Sequence, residues 1–176
     1  MEKQIFDKLL LKTAFACMTC DGEIAQQELD SIRAWGKESG IMNDSDIRTE
    51  IEEMVTDINR NGYRFLAGFL SELRSAELDE QQALSVIRTA LQIIRADEKI
   101  EYSEVKFFKI IRSQLRLTNT AISAAIPDVE SFLEQDLHSA SYIERLKLDF
   151  FENFALPSFD VSQSFQEALI PGPGRP

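Results

Sequence analysis

The stretch LLLKTAFACMTCDGEIAQQELDSIRAWGKESGI (9–41) decides the fold, because the chain contains its pattern twice. Shifted by 76 positions, it lies over SVIRTALQIIRADEKIEYSEVKFFKIIRSQLRL (85–117). Thr13/Thr89, Ala14/Ala90, Asp21/Asp97, Ile24/Ile100 and Glu28/Glu104 are identical. Apolar character is kept at Leu11/Ile87, Phe15/Leu91, Met18/Ile94, Leu29/Val105, Ile32/Phe108, Trp35/Ile111 and Ile41/Leu117. Two amphipathic helices agree in period easily. Agreement through the turn that joins them marks a degenerate duplication of a helix–turn–helix unit, with repeats at about 5–41 and 80–117.

In the first unit, Phe6, Leu9, Leu10, Thr13, Cys17 and Cys20 keep the spacing of one helix face. A turn follows at 21–25. A second helix begins near Ala25, with Leu29, Ile32, Ala34 and Trp35 facing inward, and stops near Gly40. Between the repeats, DSDIRTEIEEMVTDINR (44–60) follows a capping cluster, and NGYRFLAGFLSELRS (61–75) is an apolar-faced helix after an Asn-Gly turn. LDEQQALSVIRTALQIIR (78–95) opens the second repeat. TNTAISAAI (118–126) and VESFLEQDL (129–137) read as short helices around Pro127. In SYIERLKLDFFENFALPSFD (141–160) the alternation of RLKLDF fits a strand or extended arm as well as a helix. The fold class is therefore all-α, a bundle of about seven helices. The helical domain spans 1–125, and a C-terminal extension, 126–176, packs on it. The tail 170–176, ending in PGPGRP, reads as disordered.

Composition narrows the function classes. With 19 Lys and Arg against 30 Asp and Glu, the net charge is −11. That balance disfavours nucleic acid and anionic membrane surfaces, which are themselves polyanions, and suits cations or basic partners. No stretch reaches the roughly 18 apolar residues of a membrane span. The N-terminus lacks the unbroken apolar core of a signal peptide, since Lys12 interrupts it. Two cysteines make no disulfide framework. The cytoplasm is the expected compartment.

The acidic turn admits several chemistries. An EF-hand loop would place Cys17 and Thr19 at its first and third ligand positions in the first copy and Ile93 at the first in the second, and Glu98 stands where glycine is needed, so that reading fails on ligand chemistry. Cys17 and Cys20 form a CxxC, but at a helix C-terminus beside Asp21 and Glu23 the field opposes a thiolate. Small buried apolar groups are the plainer reading of both. A zinc site would need more soft ligands than these and the lone His138. A folding role fits every repeated residue. With helix caps at Ala25 and Glu101, Glu28 and Glu104 fall at the third helical position and reach back to the cap N–H. Asp21 and Asp97 make Asx turns, Gly22 supplies a positive φ, and Ile24 and Ile100 plug the bends.

CDGEIAQQE (20–28) and ADEKIEYSE (96–104), each between two amphipathic helices, carry a resemblance. They resemble the alanine-aspartate-glycine phrase of the TerB-like family, helical domains associated with tellurite resistance and found also in the N-terminal region of the DnaJ-like co-chaperone DjlA. The duplication within one helical domain is a feature of that family. The resemblance covers roughly residues 5–120 and departs from the pattern at Glu98. It implies an all-helical fold and divalent-cation binding by clustered acids. Carried over position by position, the implied metal residues are Asp21, Glu28, Asp97 and Glu104.

Two functions follow as expectations. One is a non-enzymatic TerB-like module in a stress-response or envelope-associated assembly, holding calcium, magnesium or manganese where the two turns meet across an approximate twofold axis. The other is a protein-interaction scaffold with purely structural acids, docking through Phe150, Phe151, Phe154 and Phe159. A partner protein and a homodimer fit both. An enzyme is disfavoured, because the chain has no glycine-rich phosphate loop and no readable nucleophile–base pair.

Overall fold

Apolar residues at helical spacing, punctuated by side-chain caps and glycines, fold the chain into helices. The computed structural model describes residues 1–21, 26–96, 102–129, 132–133 and 140–152, with backbone alone at 21, 26–28 and 140–142. Among these there are eight helices and no strand: α1 (Lys3–Met18), α2 (Gln26–Glu38), α3 (Asp44–Asn61), α4 (Tyr63–Ser75), α5 (Glu80–Ile94), α6 (Tyr102–Gln114), α7 (Asn119–Ala125) and α8 (Ala140–Glu152). A 3₁₀ turn, Thr19–Asp21, extends α1.

The caps are chemical. Asn43 Oδ1 accepts from the Asp46 N–H at 3.0 Å and starts α3. Asp79 and Gln82 form a reciprocal capping box at the start of α5. Thr118 caps α7. Gly40 follows α2 with φ +63°, and Gly62 separates α3 from α4 with φ +56° and ψ −133°. That second conformation is one side chains avoid, so the glycine sets the bend.

α1 lies at the centre, against α2, α3, α4, α5 and α6, its longest contact running along α5. Its burial is wider than the expected stripe. From Thr13 to Met18 every residue is buried, as is Leu11, because neighbours enclose the helix on all sides. Phe15 meets Phe65 of α4 edge-on at 5.5 Å. In α2, Leu29 and Ile32 face inward, whereas Ala34 is exposed and Gly36 takes an inward position. A Cβ at Gly36 would stand 3.0 Å from Ile47 Cδ1, so glycine permits the close α2–α3 approach. Arg33 ties the same pair together with two bonds to Asp44, at 2.8 and 2.6 Å.

The helix bounds carry the repeat further than the sequence pattern did. α2 and α6 are both 13 residues long and offset by 76. α4 and α8 are also 13 residues each, offset by 77, with Leu66/Ile143, Phe69/Leu146 and Leu73/Phe150 in register. In chain order the described helices form two sets of four. The sets differ in space: α4 packs on α1, α3 and α6, whereas α8 packs on α6. The Trp35 indole N–H of α2 donates to Gln92 Oε1 of α5 at 3.1 Å, a bond between the sets.

The segment 140–152 is helical, not strand. Leu146 and Phe150, four apart, are buried, while Leu148 is 60% exposed. The alternation in RLKLDF came from that surface leucine. Phe150 stacks on Phe107 at 5.2 Å, and Phe151 reaches Tyr63 of α4 at 5.8 Å. Val129, Phe132 and Leu133 are buried in the same core. Arg95 donates to the Asp128 carbonyl and lies 5.3 Å from the centre of the Phe132 ring. The remainder of the second short helix expected at 129–137, and the tail 170–176, lie outside the described residues.

Candidate cation site at the helix turns

Glu104 is the third residue of α6 and is buried, with 7% of its surface exposed. A carboxylate seldom occupies such a place, because burial penalises its charge. Two features put it there. It falls in the first turn of a helix, where the dipole favours an anion. α6 also packs against the 3₁₀ turn that ends α1. Glu104 of the second repeat therefore lies near the C-terminal end of α1 in the first. It is close enough to act on Cys17, whose thiol is pushed far above its ordinary value, first by complete burial and then by the Glu104 charge.

Around the turn, the other polar groups bond locally. Thr13 Oγ1 donates to the Leu9 carbonyl at 2.8 Å, Thr19 Oγ1 to Ala16 at 3.3 Å, and Cys20 Sγ to Cys17 at 2.9 Å. Both cysteines are free and buried. A thiol held protonated in this way is a poor nucleophile and a poor soft-metal ligand, which disfavours the redox reading of CxxC.

Of the four acids singled out in the sequence, the structure describes the side chain of Glu104. The backbone places Glu28 third in α2, matching Glu104 in α6. The side chains of Asp21 and Glu28, and all of Asp97, lie outside the described residues, as do Ile24, Ile100 and the cap positions 25 and 101. Among the described residues, no group of three or more His, Cys, Asp or Glu side chains is arranged to hold a metal.

A second acidic feature lines a hollow of about 370 Å³ between α1, α3 and α4, floored by Leu11, Met54 and Phe65. Its carboxylates are partly spent: Lys8 pairs with Glu50, and Lys12 with Glu72 at 2.7 Å. Sequence reasoning passed over one further residue. Arg112, half-buried near the end of α6, donates through Nη2 to the Leu117 carbonyl at 2.7 Å and to Asn119 Oδ1 at 2.9 Å. Its Nε is buried without a hydrogen-bond partner among the described residues, and burial lowers its pKa. It fastens the α6–α7 connection. A basic residue in a helix's last turn, shortly before polar capping residues, was the available signal.

No family model, curated protein or solved structure matches the chain. No helix among the described residues is long and apolar enough to cross a membrane.

Proposed function

We propose that this chain is a non-enzymatic, TerB-like cytoplasmic module whose acidic inter-helix turns hold a hard divalent cation within a stress-response or envelope-associated assembly. The observation that carries the reading is the burial of Glu104 in the first turn of α6, near enough to Cys17 of the other repeat for its charge to act on that thiol. Asp21, Glu28 and Asp97 are the oxygen donors that would join it, and calcium, magnesium or manganese suits such a set. The test is calorimetric titration of Ca²⁺ and Mn²⁺ into the wild type, Glu104→Gln and the pair Asp21→Asn/Asp97→Asn. Saturable heat in the wild type, lost in both variants, is the expected result. Silence from the wild type at millimolar metal removes the cation.

One observation favours a second reading, in which the acids are structural and the chain is an interaction scaffold. Glu104 occupies the helix position that Gln82 occupies in the capping box of α5. On that reading, Glu104→Ala lowers the melting temperature equally with and without metal, whereas Glu104→Gln keeps the cap and leaves it nearly unchanged.

A further inference from the structure

We propose that the hollow between the end of α4, the start of α5 and the end of α6 binds a small apolar zwitterion, an amino acid or short peptide whose ammonium and carboxylate are both recognised. The hollow has a volume of about 530 Å³, within the range of small-molecule sites. It lies at the opposite end of α6 from Glu104, so the inference stands apart from the cation. Buried Leu73, Ala83 and Leu115 form its apolar floor, with half-buried Leu78 beside them.

Charges of both signs line the hollow without pairing. Arg74 and Arg116 bring guanidinium groups, Glu77 and Glu80 bring carboxylates, and all four side chains are exposed. None of them makes an ion pair or a side-chain hydrogen bond with a described residue. Cations elsewhere in the chain do find carboxylates: Lys12 takes Glu72, Arg33 takes Asp44 and Lys106 takes Asp149. Asp79, also in the lining, is committed to the capping box of α5. A further open group is nearly enclosed. Gln114, the last residue of α6, lines the hollow and is 9% exposed. Its amide nitrogen donates to the Ile110 carbonyl at 3.1 Å and to Ser113 Oγ at 2.6 Å, but its amide oxygen accepts from no described group. An acceptor so deeply placed ordinarily has a donor.

The open groups specify the ligand. Guanidinium groups call for a carboxylate, which they hold through paired N–H bonds. The two glutamates and the Gln114 oxygen call for a group with several donors, which an ammonium supplies. The leucine-lined floor calls for an apolar body between the two charges. A polyphosphate would meet Glu77, Asp79 and Glu80 and be repelled. A zwitterion with an apolar side chain satisfies every open group at once.

The test is an NMR titration of leucine and of leucyl-alanine into the full chain, with chelator present so that no cation contributes. Saturable shifts at the backbone amides of 76–80 and 114–116 are expected, and the tighter probe names the source as amino acid or peptide. Acetylating the amine or amidating the carboxylate of that probe should each weaken binding about tenfold or more, since each removes charge-assisted hydrogen bonds. The pair Arg74→Gln/Arg116→Gln should bind native and amidated probes alike. The pair Glu77→Gln/Glu80→Gln should bind native and acetylated probes alike. All four positions are exposed, so the variants keep the fold, and the blocked probes test the wild type without any substitution. Absence of saturable shifts at millimolar probe, binding indifferent to either end group, or full affinity in both variants overturns the proposal.

Discussion

Cys17 is an acid that the fold prevents from ionising. Below its ordinary pKa of 9.0, the thiol is protonated both folded and unfolded, and it adds nothing to the pH dependence. Above that value the unfolded chain gives up the proton while the folded chain keeps it. Folding stability is therefore expected to fall as pH rises past 9.0, by up to about 1.4 kcal/mol per pH unit from this group. Urea unfolding of wild type and Cys17→Ala at pH 8 and pH 10 checks it, since the variant loses this part of the alkaline slope. Arg112 gives a second expectation at this scale. Lysine cannot reproduce a planar guanidinium that serves the Leu117 carbonyl and Asn119 together. Arg112→Lys should cost about 1–3 kcal/mol, read by thermal melting. The repeat pointed to Glu104 in the sequence, but not to its burial. That depends on α6 packing against the turn that ends α1, a contact between segments far apart in the chain that periodicity does not encode.

Among the elements, glycines separate two kinds of turn. Gly62 adopts a backbone that other residues reach only under strain, and Gly62→Ala should destabilise by about 1–3 kcal/mol. Gly68, inside α4 with no atom within 4 Å of an added Cβ, should respond oppositely. Gly68→Ala is expected to stabilise by roughly 0.5–1 kcal/mol, because alanine restricts the unfolded chain and favours helix. Chemical denaturation of the two variants reads both signs. The helices that sequence patterning located well were those with a wide apolar face and a side-chain cap, α3 and α5 above all. α8 was ambiguous because Leu148 lies on its solvent face, and a single exposed leucine turns a helical repeat into an apparent alternation. The inward face of α2 was misjudged at Ala34 for a related reason. A small residue carries little burial signal, and the glycine two positions on allows the closest approach.

For the molecule as a whole, one core runs from Leu9 to Phe150 and includes residues from every helix described. Deleting 140–176 removes the outer cover of that core at Phe107. The truncated chain should bind a hydrophobic dye that wild type ignores, and should melt earlier. Light scattering and dye fluorescence on both chains check this, and an unchanged melt without dye binding would show that α8 contributes nothing to the core. The bundle architecture was legible because duplication repeats its own evidence. The departure of α8 from the position α4 holds was not, since helices of equal length and similar apolar spacing give no clue to which neighbour they choose.

Trp35, the only tryptophan in the chain, is half-buried and bonded to Gln92 of the other helical set. Its emission thus reports on that seam alone, without any label. A red shift that precedes loss of helical circular dichroism would mean the halves part before they melt, and a coincident one that they share a single cooperative unit.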